Sequence, residues 1–150
     1  AALAPTLQDR QRAALAEFVA AQQAMADMPS AQLNLAGLAL AQGDAPAAEQ
    51  RLRRALQREP ALDAARLGLA TLLAQTRRED EAERVLRDGL ARAASPGELH
   101  LALGLLAGQR QRWAEAAREL RAADALLPGQ ARVRRNLDAV ERYLERTRPR

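Results

Sequence analysis

The side chains that could perform chemistry are few and scattered. His100 is the only histidine, and one imidazole without companions makes neither a metal site nor a catalytic pair, because a metal needs three or four donors and a base needs a nucleophile within reach. Ser30 and Ser95 have no such base beside them. Each stands next to a proline at the head of an apolar run, where a helix cap is expected. The densest acids, Glu79, Asp80, Glu81 and Glu83, could in principle hold a cation. They also fall in the first turns of an expected helix, where negative charge complements the macrodipole, and Glu83 lies four residues before Arg87, a favourable surface pair. No glycine-rich phosphate loop follows a strand pattern, and no helix carries two histidines. The chain has no cysteine, which excludes a disulfide framework, a thiolate metal site and covalent haem attachment within it. The reading is noncatalytic, with no catalytic residue, metal or cofactor expected.

Charge directs attention to one end. The net charge of +4 comes from 23 basic residues, all arginine, against 19 acids. Through Pro128 the chain has 16 Arg and 16 acids; Gly129 to Arg150 has 7 Arg and 3 acids, so the whole excess lies there. Arg132, Arg134, Arg135, Arg142 and Arg146 form a candidate basic surface for nucleic acid or anionic lipid. Asp138, Glu141 and Glu145 interrupt it, which equally suits a solvated terminal helix.

The elements that would position these groups recur at 34 residues. Leu35, Leu69 and Leu103 fall in register, followed by Ala36, Ala70 and Gly104, then Ala48, Ala82 and Ala116, then Leu52, Leu86 and Leu120, then Ala55, Gly89 and Ala123. A helical hairpin of this length cannot bury its apolar face alone, so successive hairpins must stack and share a core. Aromatics are 2% of the chain (Phe18, Trp113 and Tyr143), so that core is built from alanine and leucine and the helices approach closely.

Helix punctuation agrees. Thr6 and Asp9 form a capping pair ahead of a helix carrying Leu7, Leu15, Phe18 and Val19 to about Asp27. Pro29 and Ser30 open the next, Gly43-Asp44 turns it into a third, and Pro60 closes the unit. A second hairpin opens at Asp63 and turns near Thr76-Arg77-Arg78. Ser95-Pro96-Gly97-Glu98 combines a Ser cap, an early Pro and a following Glu to start the third, which turns near Arg110-Gln111-Arg112 and ends at Leu127-Pro128-Gly129. A final helix from about Gln130 to Arg146 has Val133, Leu137, Val140 and Leu144 on one face, suited to capping an open stack.

On these residues the chain resembles the tetratricopeptide repeat family. That pattern has a large apolar residue at repeat position 7, a small one at 8, often Gly at 15, Ala at 20, an aromatic or Leu at 24, Ala at 27 and Pro at 32. Residues 29–62 supply Leu35, Ala36, Gly43, Ala48, Leu52, Ala55 and Pro60, and residues 97–130 supply Leu103, Gly104, Ala116, Leu120, Ala123 and Pro128. Residues 63–96 depart with Arg77 for Gly, Gly89 for Ala and Ala94 for Pro. The resemblance implies an all-α, right-handed superhelical solenoid of about eight helices. Its parts would be a leading helix in residues 1–28, repeats at 29–62, 63–96 and 97–130, and a capping helix with a basic tail at 131–150. Within the leading segment Ala14, Phe18 and Ala21 match positions 20, 24 and 27, as in a second repeat helix without its first.

The resemblance further implies a protein-interaction scaffold whose partners dock in a concave groove lined by the first helix of each repeat. The matching positions are Leu33, Asn34, Gly37, Leu40, Leu67, Thr71, Gln75, Leu101, Leu105 and Gln109. Chaperone-binding members grip acidic termini with Lys, Arg and Asn; only Asn34 is comparable here, so no such clamp is expected. An apolar groove free of cations suits an apolar peptide or amphipathic helix from a protein partner. The same leucines suit cover by a neighbouring domain or by a second copy, giving a self-association module. His100, at repeat position 4, and Trp113, at 17, are expected to pack between helices.

The stretch from Ala14 to Pro29, with Ala21-Gln22-Gln23 and Ala26-Asp27-Met28, is similar to the entry into repeat regions that follow multihaem cytochrome c-like domains of exported bacterial proteins. That similarity implies a docking arm of a larger redox protein in the periplasm. The start, Ala1-Ala2-Leu3-Ala4-Pro5, lacks the regions of a signal peptide, and the missing initial Met suits a mature form or an excised domain. The longest apolar stretch, Leu101 to Gly108, is far short of the ~20 residues of a membrane span. The composition leaves cytoplasm and periplasm both open.

Overall fold

A computed structural model describes residues 6–147; what was expected of residues 1–5 and 148–150 lies outside the described residues. The fold is all-α, with eight α-helices and no strand among the described residues: α1 (Leu7–Ala24), α2 (Pro29–Ala41), α3 (Ala45–Arg58), α4 (Asp63–Gln75), α5 (Glu79–Gly89), α6 (Pro96–Gln109), α7 (Trp113–Leu126) and α8 (Ala131–Thr147). No helix among these residues is long and apolar enough to cross a membrane. Two compact units arise, Ala1–Glu59 and Pro60–Arg150.

Local chemistry sets the helix starts. The Thr6 hydroxyl accepts from the Asp9 amide at 3.1 Å, and the Asp9 carboxylate accepts from the Thr6 amide at 3.0 Å. That reciprocal pair satisfies two donors of the first turn and, chiefly through the Thr6 hydroxyl, holds the Asp9 carboxyl below its ordinary range. Asp44 caps α3 by accepting from Ala47 at 3.0 Å. Two expected serine caps are corrected: neither Ser30, inside α2, nor Ser95 contributes a side-chain cap bond. The Ser95 amide instead donates to the Asp63 carboxylate at 2.7 Å, so α6 starts on Pro96 with its preceding residue tied to the first residue of α4. Helix α1 ends at Ala24, three residues before the expected limit, in a turn through Met25–Asp27.

In the first unit, Ala31, Leu35 and Ala39 of α2 are buried with Ala48, Leu52 and Ala55 of α3, a core of small and medium side chains. Helix α1 buries only Gln22 and leaves Leu7, Leu15 and Phe18 exposed. The second unit repeats the scheme: Leu69, Leu73, Ala82 and Leu86 for α4 and α5, then Leu99, Leu103, Ala116, Leu120 and Ala123 for α6 and α7. Val133, Leu137 and Val140 of α8 close that core. Trp113 stacks on Tyr143 of α8 with ring centroids 4.5 Å apart.

The three hairpin turns use one backbone solution. Gly43, Arg77 and Gln111, spaced by the repeat, adopt φ values of 76°, 64° and 57°. The residue after each donates its amide to the carbonyl five residues back, Asp44 to Ala39, Arg78 to Leu73 and Arg112 to Ala107, at 2.8–2.9 Å. This is the Schellman closure, and it needs a left-handed residue whatever its side chain. The second and third repeats therefore keep the turn without its glycine, at the strain a Cβ brings there.

The second departure, Gly89 for Ala, has a steric cause. The buried Arg66 of α4 fills the space a Cβ at Gly89 would take, its Cδ lying 2.1 Å from that point. Its Nη1 donates to the Val85 carbonyl at 3.0 Å and its Nη2 to the Pro60 carbonyl at 2.5 Å. Past Gly89, α5 gives way to a 3₁₀ turn over Leu90–Arg92.

Two stability outcomes follow. Arg77→Gly and Gln111→Gly should each stabilise the protein by about 0.5–1 kcal/mol in urea melts, because glycine removes the left-handed strain at some cost in chain entropy. Gly89→Ala should destabilise by about 1–3 kcal/mol. Adding Arg66→Gln, which shortens the obstructing chain, should make the double variant lose less than the sum of the two single losses in the same melts.

Candidate functional site

Within the second unit, α4 and α6 each present a stripe at helical spacing. Leu67, Thr71 and Gln75 lie four residues apart on α4, and Leu101, Leu105 and Gln109 on α6. All six border one open cavity of about 380 Å³, together with the small side chains Ala70, Ala74 and Ala102. Alanine at these points keeps the trough shallow and leaves the leucines as its main apolar surface. The members differ in what they can offer. Leu101 is 2% exposed and belongs to the core cluster, so it forms floor; Leu67 and Leu105 are half-buried, and Thr71, Gln75 and Gln109 are exposed. The Thr71 hydroxyl donates to the Leu67 carbonyl at 2.8 Å. The Gln75 and Gln109 amides make no hydrogen bond among the described residues, so each rim of the trough carries a free donor and acceptor.

The remaining four groove candidates sit on α2 in the first unit. Leu33 is half-buried, and Asn34, Gly37 and Leu40 are exposed. The Asn34 Nδ2 donates to Gln22 Oε1 at 2.9 Å, so its amide holds α1 to α2.

One expectation needs correction. The groove was read as free of cations, yet Arg132 of α8 borders it, with Glu98 on the wall as well. Helix α8 stands where the first helix of another repeat would begin, so its second residue reaches the trough. Of the basic candidates, Arg134 pairs with Asp124 at 3.2 Å. Arg132, Arg135, Arg142 and Arg146 are exposed and have no carboxylate within 4.0 Å among the described residues.

The acidic cluster finds its partners in arginines. Arg87 bridges from Glu83, at 3.0 Å, to Glu115 and Glu119 of α7 at 2.5 and 3.2 Å. Arg112 pairs with Glu83 and, at 2.9 Å, with Glu115, while Arg110 reaches Asp80 at 2.6 Å and Glu83 at 3.2 Å. The hydrogen bond from Arg112 is the main reason the Glu83 carboxyl is held below its ordinary range, against the opposing effect of burial. The same contact raises Arg112, and Glu83 likewise raises Arg87. His100 packs between α6 and α7 with Nδ1 2.8 Å from Glu119 Oε2.

Residue-by-residue reading missed Arg66 as a buried cation. Gln32, Arg66 and His100 share repeat position 4, and in the first two the side chain donates to the carbonyl six residues earlier, Ala26 and Pro60, at 2.5 Å. In α2 and α4 the position ties the first helix to the loop that enters it, whereas in α6 His100 reaches Glu119 of α7. The available signal was paired: a long polar residue at 66 together with the lost methyl at Gly89.

The tetratricopeptide repeat family model matches residues 39–107. Over that segment, somewhat less than half of the chain, the sequence is similar to tetratricopeptide repeats. It contains the second helix of the first hairpin, both helices of the second and most of α6, and so includes the α4 stripe with Leu101 and Leu105 of the α6 stripe. No curated protein matches the sequence significantly. Among solved structures, PilF of Pseudomonas aeruginosa is similar at 25% identity and a TM-score of 0.67, over 78% of this chain and 54% of that one. The chain thus spans about half the length of that relative. The tetratricopeptide repeat domain of OM64 from Arabidopsis matches with a TM-score of 0.69 at 14% identity, over 79% of this chain and 98% of that domain, a likeness of fold. Such repeats generally serve protein–protein interaction. The cytochrome-like character of residues 14–29 gains no support from these comparisons.

The Glu83 contacts set a pH dependence. A carboxyl whose folded value lies below the ordinary 4.5 contributes stability that is complete above pH 4.5 and is lost as pH falls through the lowered value. Glu83→Gln should therefore lower stability near neutrality and shrink the loss on acidification below pH 4.5, as read from urea midpoints across that range.

Proposed function

We propose that this chain is a noncatalytic scaffold whose trough between α4 and α6 holds an apolar peptide or amphipathic helix of a protein partner. The observation that carries this is the pairing of half-buried Leu67 and Leu105 with the unengaged amides of Gln75 and Gln109 around one open cavity. Leucine surface left half in water gains by burial at about 25 cal/mol per Å², and the amides can fix a partner's orientation by bonding its polar groups. Residues 63–96 and 97–130 serve as the repeats that build this surface, with α8 closing that unit, while residues 29–62 serve as a repeat of the first unit. The tetratricopeptide character of residues 39–107 supports the same class of function.

The test avoids Leu101, whose burial would turn a charge substitution into a folding defect. Peptides selected from a displayed random library by the wild-type chain should lose affinity about a hundredfold or more for Leu67→Glu/Thr71→Glu, with unchanged circular dichroism. Retained affinity in that variant would remove the trough from the binding surface.

A further inference from the structure

The exposed face of α8 begins at the trough, where Arg132 borders it, and carries further arginines away from it. Arg132, Arg135, Ala139, Arg142 and Arg146 stand at i, i+3, i+7, i+10 and i+14, one stripe of a helix. Across the helix from it, Val133, Leu137 and Val140 are buried in the core, so the stripe is fixed toward solvent. Counting back 34 residues places Arg132, Arg135, Ala139 and Arg142 in the register of Glu98, Leu101, Leu105 and Gly108. The helix therefore presents arginine at the positions where α6 presents its groove surface. Arg132 borders the trough itself, and the far end of the stripe, with Ala139, Arg142 and Arg146, borders an open depression. The four guanidiniums have no carboxylate partner among the described residues, whereas Arg134, off the stripe, is paired with Asp124.

We propose that α8 extends the groove as a cationic strip, and that the partner is an acidic amphipathic protein segment. Its apolar side chains would lie over Leu67 and Leu105, and its carboxylates would meet Arg132, Arg135 and Arg142. Guanidinium is suited to this because its planar fork meets a carboxylate with two parallel hydrogen bonds. The surroundings favour a protein over a nucleic acid. Glu98 shares the trough wall with Arg132, and Asp138, Glu141 and Glu145 flank the stripe, so a continuous phosphate backbone would meet repulsion at intervals. Single-strand binding also wants several free aromatic faces for successive bases, and α8 offers one aromatic, Tyr143, which packs at a tilt against Trp113. A discrete pattern of carboxylates on a partner helix can pass between the acids, and its apolar face uses the adjoining trough.

This inference rests on the trough being the docking surface, and the experiment separates the two. The same displayed peptide library is selected with the wild-type chain and with Arg135→Glu/Arg142→Glu. The milder Arg135→Gln/Arg142→Gln is run beside it, and circular dichroism verifies the fold of each. Wild-type selection should recover peptides with leucine-like residues at helical spacing and an excess of Asp and Glu on one flank. Their affinity should fall about tenfold with the Gln pair and further with the Glu pair, and should weaken as salt rises. Recovered peptides that are apolar without the acidic excess, and bind the Arg variants unchanged, overturn this inference and leave the trough in place. Recovery of no peptide overturns both readings. Tighter binding of an oligodeoxythymidylate strand, or of phosphatidylserine vesicles, than of any selected peptide, lost in the same Arg variants, also overturns it and assigns the strip to nucleic acid or to an anionic membrane.

Discussion

The structure depends on alanine at the points where helices cross. Ala48, Ala55, Ala82, Ala116 and Ala123 are all 0% exposed, one or two in the second helix of every hairpin. A methyl group at the crossing lets helix backbones approach toward the short end of the usual interaxial range. The leucines on either side, Leu52, Leu86 and Leu120, then fill the volume beside the crossing at close-packed density. With three aromatics in the whole chain, no single side chain could bridge a wider gap.

That constraint also produces the binding surface. In the second unit α4 and α6 each turn one face to their own hairpin partner and another to the helices that follow, and what remains of them faces outward. Leu67 and Leu105 are on that remaining surface because the crossings are already filled by Leu69, Leu73, Leu103 and Leu106. The trough is thus the residue of the packing scheme, and its chemistry is free to differ from helix to helix: leucine and glutamine on α4 and α6, arginine on α8.

Electrostatics does a different task in the same unit. Glu83, Arg87, Arg110, Arg112, Glu115 and Glu119 lock α5 to α7 and to the turn before it, through half-exposed pairs that are individually weak but share partners. Gln32 and Arg66, at repeat position 4, act where apolar packing cannot, by satisfying loop carbonyls at the entry to a helix. Of the seven arginines in residues 129–150, four lie on the solvent-facing stripe of α8.

Periodicity made the fold legible in the sequence. Helix count, the hairpin turns at Gly43, Arg77 and Gln111, the close of the first hairpin at Pro60 and the leucine–alanine core all follow from residues repeating at 34, because a buried face imposes the same demand on every hairpin. The α4 and α6 residues that border the trough were pointed to by the family resemblance and not by the period itself. The rest required coordinates. Which groove leucine is floor and which is surface, with Leu101 buried and Leu105 half-exposed, depends on how far α7 and α8 reach over α6. The burial of Arg66 in the space of a missing methyl, the capture of the Ser95 amide by Asp63, and the arrival of Arg132 on the trough wall each join residues about 20 to 60 positions apart. A local pattern records what each helix must bury; only the assembled helices decide which side chains then meet, because those meetings are set by distance in space and leave no period in the chain.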